Sequence, residues 1–251
     1  MSNINPIEDW EFNVLDIYNF RKKGKLVKYF DFIKKYHNKI NGDICEVGVY
    51  RGFSIISTAL LLRELGSDKL VYGYDSFSGF PTYHQYDDLS FFDSLLDKDY
   101  IDPEHYRKFK LNLEYKNLLH EKKTLPSNIS TSGDFSSTSK EFLENKIKLF
   151  GLNNIVLVDG DYASTMNDYE YPDLTFMAVL MDCDLYESHK IALPFTWQRL
   201  SKKGYMFLDE YFSLKFPGAR YAIDNFFNQK KQKPKMHKKI PLDFERWYVR
   251  K

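Results

Sequence analysis

Two periodicities divide this chain. Residues 10–39 carry helix-period apolar spacing, with Leu15, Tyr18, Phe20, Leu26, Tyr29, Phe30, Phe32 and Ile33 set between lysines. This predicts a pair of amphipathic helices over a sheet, or alternatively a lid over a site. Short apolar runs follow, each bounded by turn residues: Ile44–Val49, Leu70–Asp75, Ile155–Val158, Val179–Met181 and Tyr205–Leu208. Their length and their alternation with helical segments predict an α/β fold with buried parallel strands. A helix is expected over Phe53–Leu65. Another should run to Phe150, opened by a capping box at Thr138-Ser139-Lys140-Glu141 and closed by Gly151. Asp184-Leu185-Tyr186-Glu187 reads as a second capping box, and Pro194 should kink or split the helix beyond it. An amphipathic helix is expected to follow Pro217 through Phe227, and Phe244–Val249 can form a terminal strand.

Residues 82–136 break this rhythm. They are rich in Asp, Tyr, Phe and Lys, with Asp102-Pro103 and Pro126-Ser127-Asn128 as breakers. A stretch of this length between a strand and a helix suggests an inserted substrate lid or a dimer contact. The expected organisation is one domain over 1–251 with N-terminal helices at 10–39 and this insertion. His84, His105 and His120 are isolated and read as surface histidines. The basic run Lys230–Lys239 reads as a solvated turn, with phosphate binding as the other possibility.

The candidate chemistry lies where the apolar runs end. In an open α/β sheet, ligands bind at the carboxyl ends of the strands. Asp182, Asp184, Asp209 and Glu210 would gather there, and carboxylates at one mouth repel unless a cation or basic substrate lies between them. Oxygen-only ligands favour a hard ion such as Mg²⁺ or Ca²⁺. Because Asp184 has a capping explanation, Asp182 is the better metal candidate. At the first strand, Glu46 precedes Gly48-Val49-Tyr50-Arg51-Gly52 and a helix N-terminus. The spacing Gly-x-x-x-Gly departs from the dinucleotide fingerprint, and Glu46 suits an amino or sulfonium group better than a pyrophosphate. Asp75 stands where nucleoside-binding folds hold ribose hydroxyls, a role that strand order and spacing favour over capping the turn that starts at Ser76. Asp159-Gly160-Asp161 begins a polar loop placed to meet a base or ribose.

Composition narrows the classes. Lys and Arg number 36 against 35 Asp and Glu, so no net charge draws the chain to nucleic acid or anionic membrane. No apolar run approaches a membrane span and the N-terminus lacks a signal pattern, so a cytoplasmic protein is expected. Cys45 and Cys183 sit in apolar runs and read as reduced and buried.

Four ordered motifs then carry a resemblance. Gly42-Asp43-Ile44-Cys45-Glu46-Val47-Gly48-Val49-Tyr50-Arg51-Gly52, Asp75-Ser76-Phe77-Ser78-Gly79-Phe80-Pro81, Asp182-Cys183-Asp184-Leu185-Tyr186-Glu187-Ser188 and Gly204-Tyr205 with Asp209-Glu210-Tyr211 together resemble the macrocin O-methyltransferase family. These are metal- and S-adenosylmethionine (SAM)-dependent enzymes that methylate sugar hydroxyls. The chain shows Asp-Glu-Tyr and Asp-Cys-Asp where the family usually has Asp-Asp-Tyr and Asp-Gly-Asp. The resemblance implies a Rossmann-like class I SAM-dependent methyltransferase fold, a mostly parallel seven-stranded sheet with helices on both faces. It implies that Glu46, Gly48, Tyr50, Arg51 and Gly52 line the methionine part of SAM, that Asp75 with Ser76 holds the ribose, and that Gly160 and Asp161 lie near the adenine. Asp182, Asp209 and Glu210 occupy the positions of the metal carboxylates, with Mg²⁺ or another hard divalent cation expected. Neighbouring hydroxyls of a sugar held on such an ion become more acidic and are fixed in line with the methyl group. Asp182 and His189 are the candidate bases. The expected partner is a small-molecule or glycan acceptor with vicinal hydroxyls, and a homo-oligomer is possible. Catechol or phenol O-methylation, and a non-catalytic SAM-fold binding module, are the alternatives.

Overall fold

The computed structural model describes residues 4–119, 123–167, 172–239 and 243–251. Two short N-terminal helices, α1 (Asp9–Val14) and α2 (Val27–Tyr36), precede strand β1 (Asp43–Val47), helix α3 (Phe53–Glu64) and strand β2 (Val71–Asp75). The segment after β2 forms a 3₁₀ turn (Gln85–Asp87) and helices α4 (Phe91–Asp97) and α5 (Pro103–Leu119). Then come α6 (Lys140–Leu149), β3 (Ile155–Asp159), the single turn α7 (Tyr162–Thr165), β4 (Phe176–Met181) and α8 (Tyr186–Arg199). Strand β5 (Leu200–Leu208), a 3₁₀ turn (Asp209–Phe212), α9 (Pro217–Asn228), β6 (Lys235–Met236) and β7 (Trp247–Arg250) complete the order.

The seven strands align as β3-β2-β1-β4-β5-β7-β6. The first five in that order are parallel, whereas β7 runs antiparallel to both β5 and β6. Strand side chains alternate between two apolar layers, as the period of two requires. Ile44, Leu180 and Phe207 face a core shared with α2 and α3. Cys45, Val179 and Met206 face a second core closed by α8 and α9. Both faces are therefore covered, which explains why the central strands read as near-continuous apolar runs rather than alternating ones. Both cysteines are free and buried.

Four local expectations change. Pro194 does not split α8, which is continuous from Tyr186 to Arg199. Pro194 and Lys190 are both exposed, which puts the hydrogen bond that the proline forgoes on the solvent side of the helix. The cap of α6 is Ser139, whose hydroxyl accepts the Phe142 N–H at 3.1 Å, one residue later than expected. The cap of α8 is not Asp184. The Tyr186 N–H at the start of that helix donates to Asp87 Oδ1 at 2.8 Å, so a buried carboxylate from the 82–136 segment caps it from outside. That segment also has an apolar core of its own, in which Phe92, Leu95 and Phe109 meet Leu185 and Phe216 of the main body. His105 is buried within it, Nε2 lying 2.6 Å from the Ser213 carbonyl oxygen, and is not a surface residue. His84 accepts the Tyr86 N–H at the 3₁₀ turn, and His120 lies outside the described residues. Among the described residues, no helix is long and apolar enough to cross a membrane.

Candidate active site

Strand order reverses direction between β1 and β4, and such a switch point opens a crevice at the carboxyl ends of the strands. A cavity of about 540 Å³ occupies that position. Every parallel strand sends residues to it: Gly48 and Tyr50 after β1, Asp75 and Ser76 at β2, Gly160 and Asp161 after β3, Asp182 and Asp184 after β4, and Asp209 and Glu210 after β5.

The β1 end depends on backbone freedom. Gly48 has φ 88°, and a Cβ there would overlap the Asp182 carbonyl oxygen. The Asp182 N–H in turn donates to the Val47 carbonyl at 3.0 Å, so β1 and β4 close together at this point. Asp75 fixes the turn that follows: its Oδ2 accepts the Val49 and Tyr50 N–H groups at 2.7 and 2.8 Å, and its Oδ1 accepts Phe77 N–H at 2.7 Å. The turn-capping role and a place in the cavity wall thus coexist in one carboxylate, whose oxygens retain lone pairs for further donors. Asp161 caps α7 through the Ala163 N–H and also borders the cavity.

Four predicted residues lie elsewhere. Glu46 does not line the cavity; it shares the face of Ile44 and is fully buried beneath α3, where it accepts the Ser54 hydroxyl at 2.6 Å. Burial drives its carboxyl well above the usual range, and its Oε2 has no partner. Arg51 turns away and stacks its guanidinium 4.7 Å from the Phe142 ring centroid. Gly52 is left-handed at φ 80°, and a Cβ there would also strike the Leu143 side chain of α6. His189 is completely buried inside α8, Nδ1 lying 2.9 Å from the Leu185 carbonyl, and burial pushes it down to about 4. It is absent from the cavity wall, so it is not positioned as the base.

Asp182, Asp209 and Glu210 do converge. One oxygen of each lies within 4.8 Å of the others. Asp209 Oδ1 and Glu210 Oε2 are buried without a hydrogen-bond partner. Asp184 reaches the same cavity through a left-handed backbone (φ 58°), a conformation that ends the extended strand and so keeps it from sharing a strand face with Asp182. The electrostatics are strongly uneven. Burial and then the Asp209 charge push Asp182 up to about 7. Burial would also raise Asp209, but the Lys25 ammonium and neighbouring hydrogen bonds overcome it and hold the carboxyl down to about 2. Burial, with repulsion from Asp209 and Asp182, raises Glu210 well above its ordinary value.

Lys25 is the residue that sequence pattern missed. Its Nζ lies 2.6 Å from Asp209 Oδ2 and 3.7 Å from Asp182 Oδ2. In the sequence it is one of several basic residues around Gly24, with nothing local to distinguish it. Part of the aromatic wall was equally hidden: Phe135 from the 82–136 segment lines the cavity beside Phe80 of the Asp75–Pro81 motif and meets Tyr50 edge-on at 5.1 Å.

A five-stranded parallel core with this switch-point cavity, extended by an antiparallel pair, defines the class I SAM-dependent methyltransferase fold. The O-methyltransferase NovP superposes with TM-score 0.60 at 20% identity, over 89% of this chain and 79% of that one. The calicheamicin methyltransferase CalS11 gives 0.57 at 20%, over 96% and 78%. Another CalS11 structure, described as a TDP-rhamnose 3′-O-methyltransferase, gives 0.54 at 19%, over 98% and 88%. The profile of the macrocin-O-methyltransferase (TylF) family matches residues 25–101 and 117–251. This chain belongs to that family and is an O-methyltransferase, so the alternative of a non-catalytic module falls away. No curated protein sequence matches it.

Proposed function

We propose that this chain transfers the methyl group of SAM to a sugar hydroxyl on a small-molecule acceptor, with a divalent metal ion held by Asp182, Asp209 and Glu210. The observation that carries the metal part is the convergence of three carboxylates with Asp209 Oδ1 and Glu210 Oε2 buried and unpartnered. Buried carboxylate oxygens without donors are costly, and an oxygen-only donor set fits a hard cation. Such an ion, when bound, supplies Lewis acidity that makes an acceptor hydroxyl easier to ionise. SAM supplies an electrophilic methyl group.

The chain's own residues divide the remaining work. Gly48 and Gly160 let backbone approach the methionine and nucleoside portions closely, and Asp75 with Ser76 offers polar atoms to ribose hydroxyls. Asp182 is the proton acceptor in this reading, because its carboxylate stands in the cavity wall within the cluster that would hold the acceptor hydroxyl. Tyr50, Phe80 and Phe135 form apolar wall that excludes water around the transfer. A sugar acceptor agrees with the named activity of the TDP-rhamnose 3′-O-methyltransferase that shares the fold.

Turnover of a nucleotide-linked deoxysugar and of a catechol, each with and without EDTA, tests this reading. The sugar should be methylated, chelation should stop the reaction, and Asp209→Asn should lose at least about 100-fold in rate. Full activity of Asp209→Asn in EDTA would remove the metal from the reading, and exclusive turnover of the catechol would replace the acceptor.

A further inference from the structure

Lys25 stands where a positive ion would stand. It belongs to the loop between α1 and α2, yet its ammonium reaches between Asp209 Oδ2 at 2.6 Å and Asp182 Oδ2 at 3.7 Å. The Asp209 side chain is only 8% exposed, so little water competes for that contact. No other Lys or Arg ion pair with Asp182, Asp209 or Glu210 occurs among the described residues. An ion held by Asp182 and Asp209 would draw on the same two carboxylates that the ammonium pairs with, and two cations against the same shielded carboxylates repel.

We propose that Lys25 is a tethered competitor of the metal. It neutralises the carboxylate cluster while the ion is absent and must leave Asp209 for the ion to bind, so metal occupancy is coupled to the position of the loop before α2. The proposal rests on the metal reading above and adds a residue that opposes it. Beside Lys25 the loop is loosely packed on one side, because apart from its chain neighbours nothing lies within 4 Å of where a Cβ on Gly24 would stand. Tyr18, from the same connection, also borders the cavity, so withdrawal of Lys25 reshapes the wall beside the carboxylates.

Calorimetric titration of Mn²⁺ into the full-length protein at about pH 8, where neutral-range protonation of the carboxylates matters least, gives the test. Wild type, Lys25→Met, Lys25→Arg and Lys25→Met/Asp209→Asn would be compared after their folding is checked by thermal melting. Lys25→Met should bind Mn²⁺ about tenfold more tightly than wild type, a normal size for a coupling between two sites. Lys25→Arg should bind no more tightly than wild type, and the double variant should lose the gain. A lysine that merely supported the fold would give weaker binding on removal. Equal or weaker binding by Lys25→Met therefore overturns the competitor role while leaving the metal reading intact. No Mn²⁺ binding through Asp209 in any variant overturns both.

Discussion

Gly48 and His189 show how single residues are constrained around the cavity. A Cβ at Gly48 would meet backbone, the Asp182 carbonyl oxygen, and the residue's φ of 88° is unfavourable for any other side chain. At Gly52 the obstacle is the end of a Leu143 side chain, which can move. Gly48→Ala should therefore lose about 2 kcal/mol or more in urea denaturation, and clearly more than Gly52→Ala; equal losses would contradict the backbone contact. His189 makes a pH prediction. In the folded chain burial holds it at about 4, against 6.5 for an unperturbed histidine, so between those values the unfolded state binds a proton that the folded state refuses. Its neutral burial favours folding fully above pH 6.5, and that contribution is lost as pH falls toward 4, by about 3 kcal/mol in total. Stability curves of wild type and His189→Gln should converge as pH drops through this window. Parallel curves would refute the buried neutral state. Residues of these two kinds differed in legibility. Gly48 is visible as a glycine after an apolar run, whereas the inward turn of His189 depends on which face α8 packs against.

The elements around the site are braced by contacts distant in sequence. Helix α8 begins just after Asp182 and Asp184, and its first turn is capped by Asp87 across 99 residues. Asp87 Oδ2 also accepts the His84 N–H at 2.9 Å, so one buried carboxylate ties the 82–136 segment to the mouth of β4. Asp87→Ala should cost about 1–2 kcal/mol, the range of a lost helix cap, and should lower turnover as well by loosening the chain that carries Asp182. Asp184→Ala should leave the helix start unaffected, since the Asp184 side chain makes no cap there. A larger thermal-melting loss for Asp184→Ala than for Asp87→Ala would reverse this assignment. The local motif Asp-x-x-Glu was a fair sign of a helix start, and the helix does start there. Sequence spacing could not show that a carboxylate from another segment would take the capping position first. For the same reason the strands and the carboxylates at their ends were legible, because each apolar run and its terminal acid are contiguous. Lys25 and Phe135 reach the cavity only through the tertiary path of the chain.

At the scale of the whole molecule, the strand order separates two tasks. Strands β1, β2 and β3 lie on one side of the switch point and carry Gly48, Asp75 and Asp161; β4 and β5 lie on the other and carry the carboxylate cluster. If the first group holds SAM and the second holds the metal, the two binding events should be separable by mutation even though turnover needs both. Asp209→Asn removes a charge beside Lys25 and Asp182 but leaves the Asp75 contacts to Val49, Tyr50 and Phe77 in place. Its SAM affinity should stay within about twofold of wild type, while Mn²⁺ binding is lost, as expected if the two groups of residues share no contacts and couple little. Asp75→Ala takes away the acceptor that orders the β1 turn, so SAM affinity should fall by about tenfold or more. Its Mn²⁺ affinity should change little, because the Asp182 N–H bond to the Val47 carbonyl still joins β1 to β4. Paired titrations of both ligands into both variants decide the matter. Loss of both ligands in Asp75→Ala, with folding intact, would mean that the β1 turn supports the metal cluster as well, and the two halves would then have to be treated as one site.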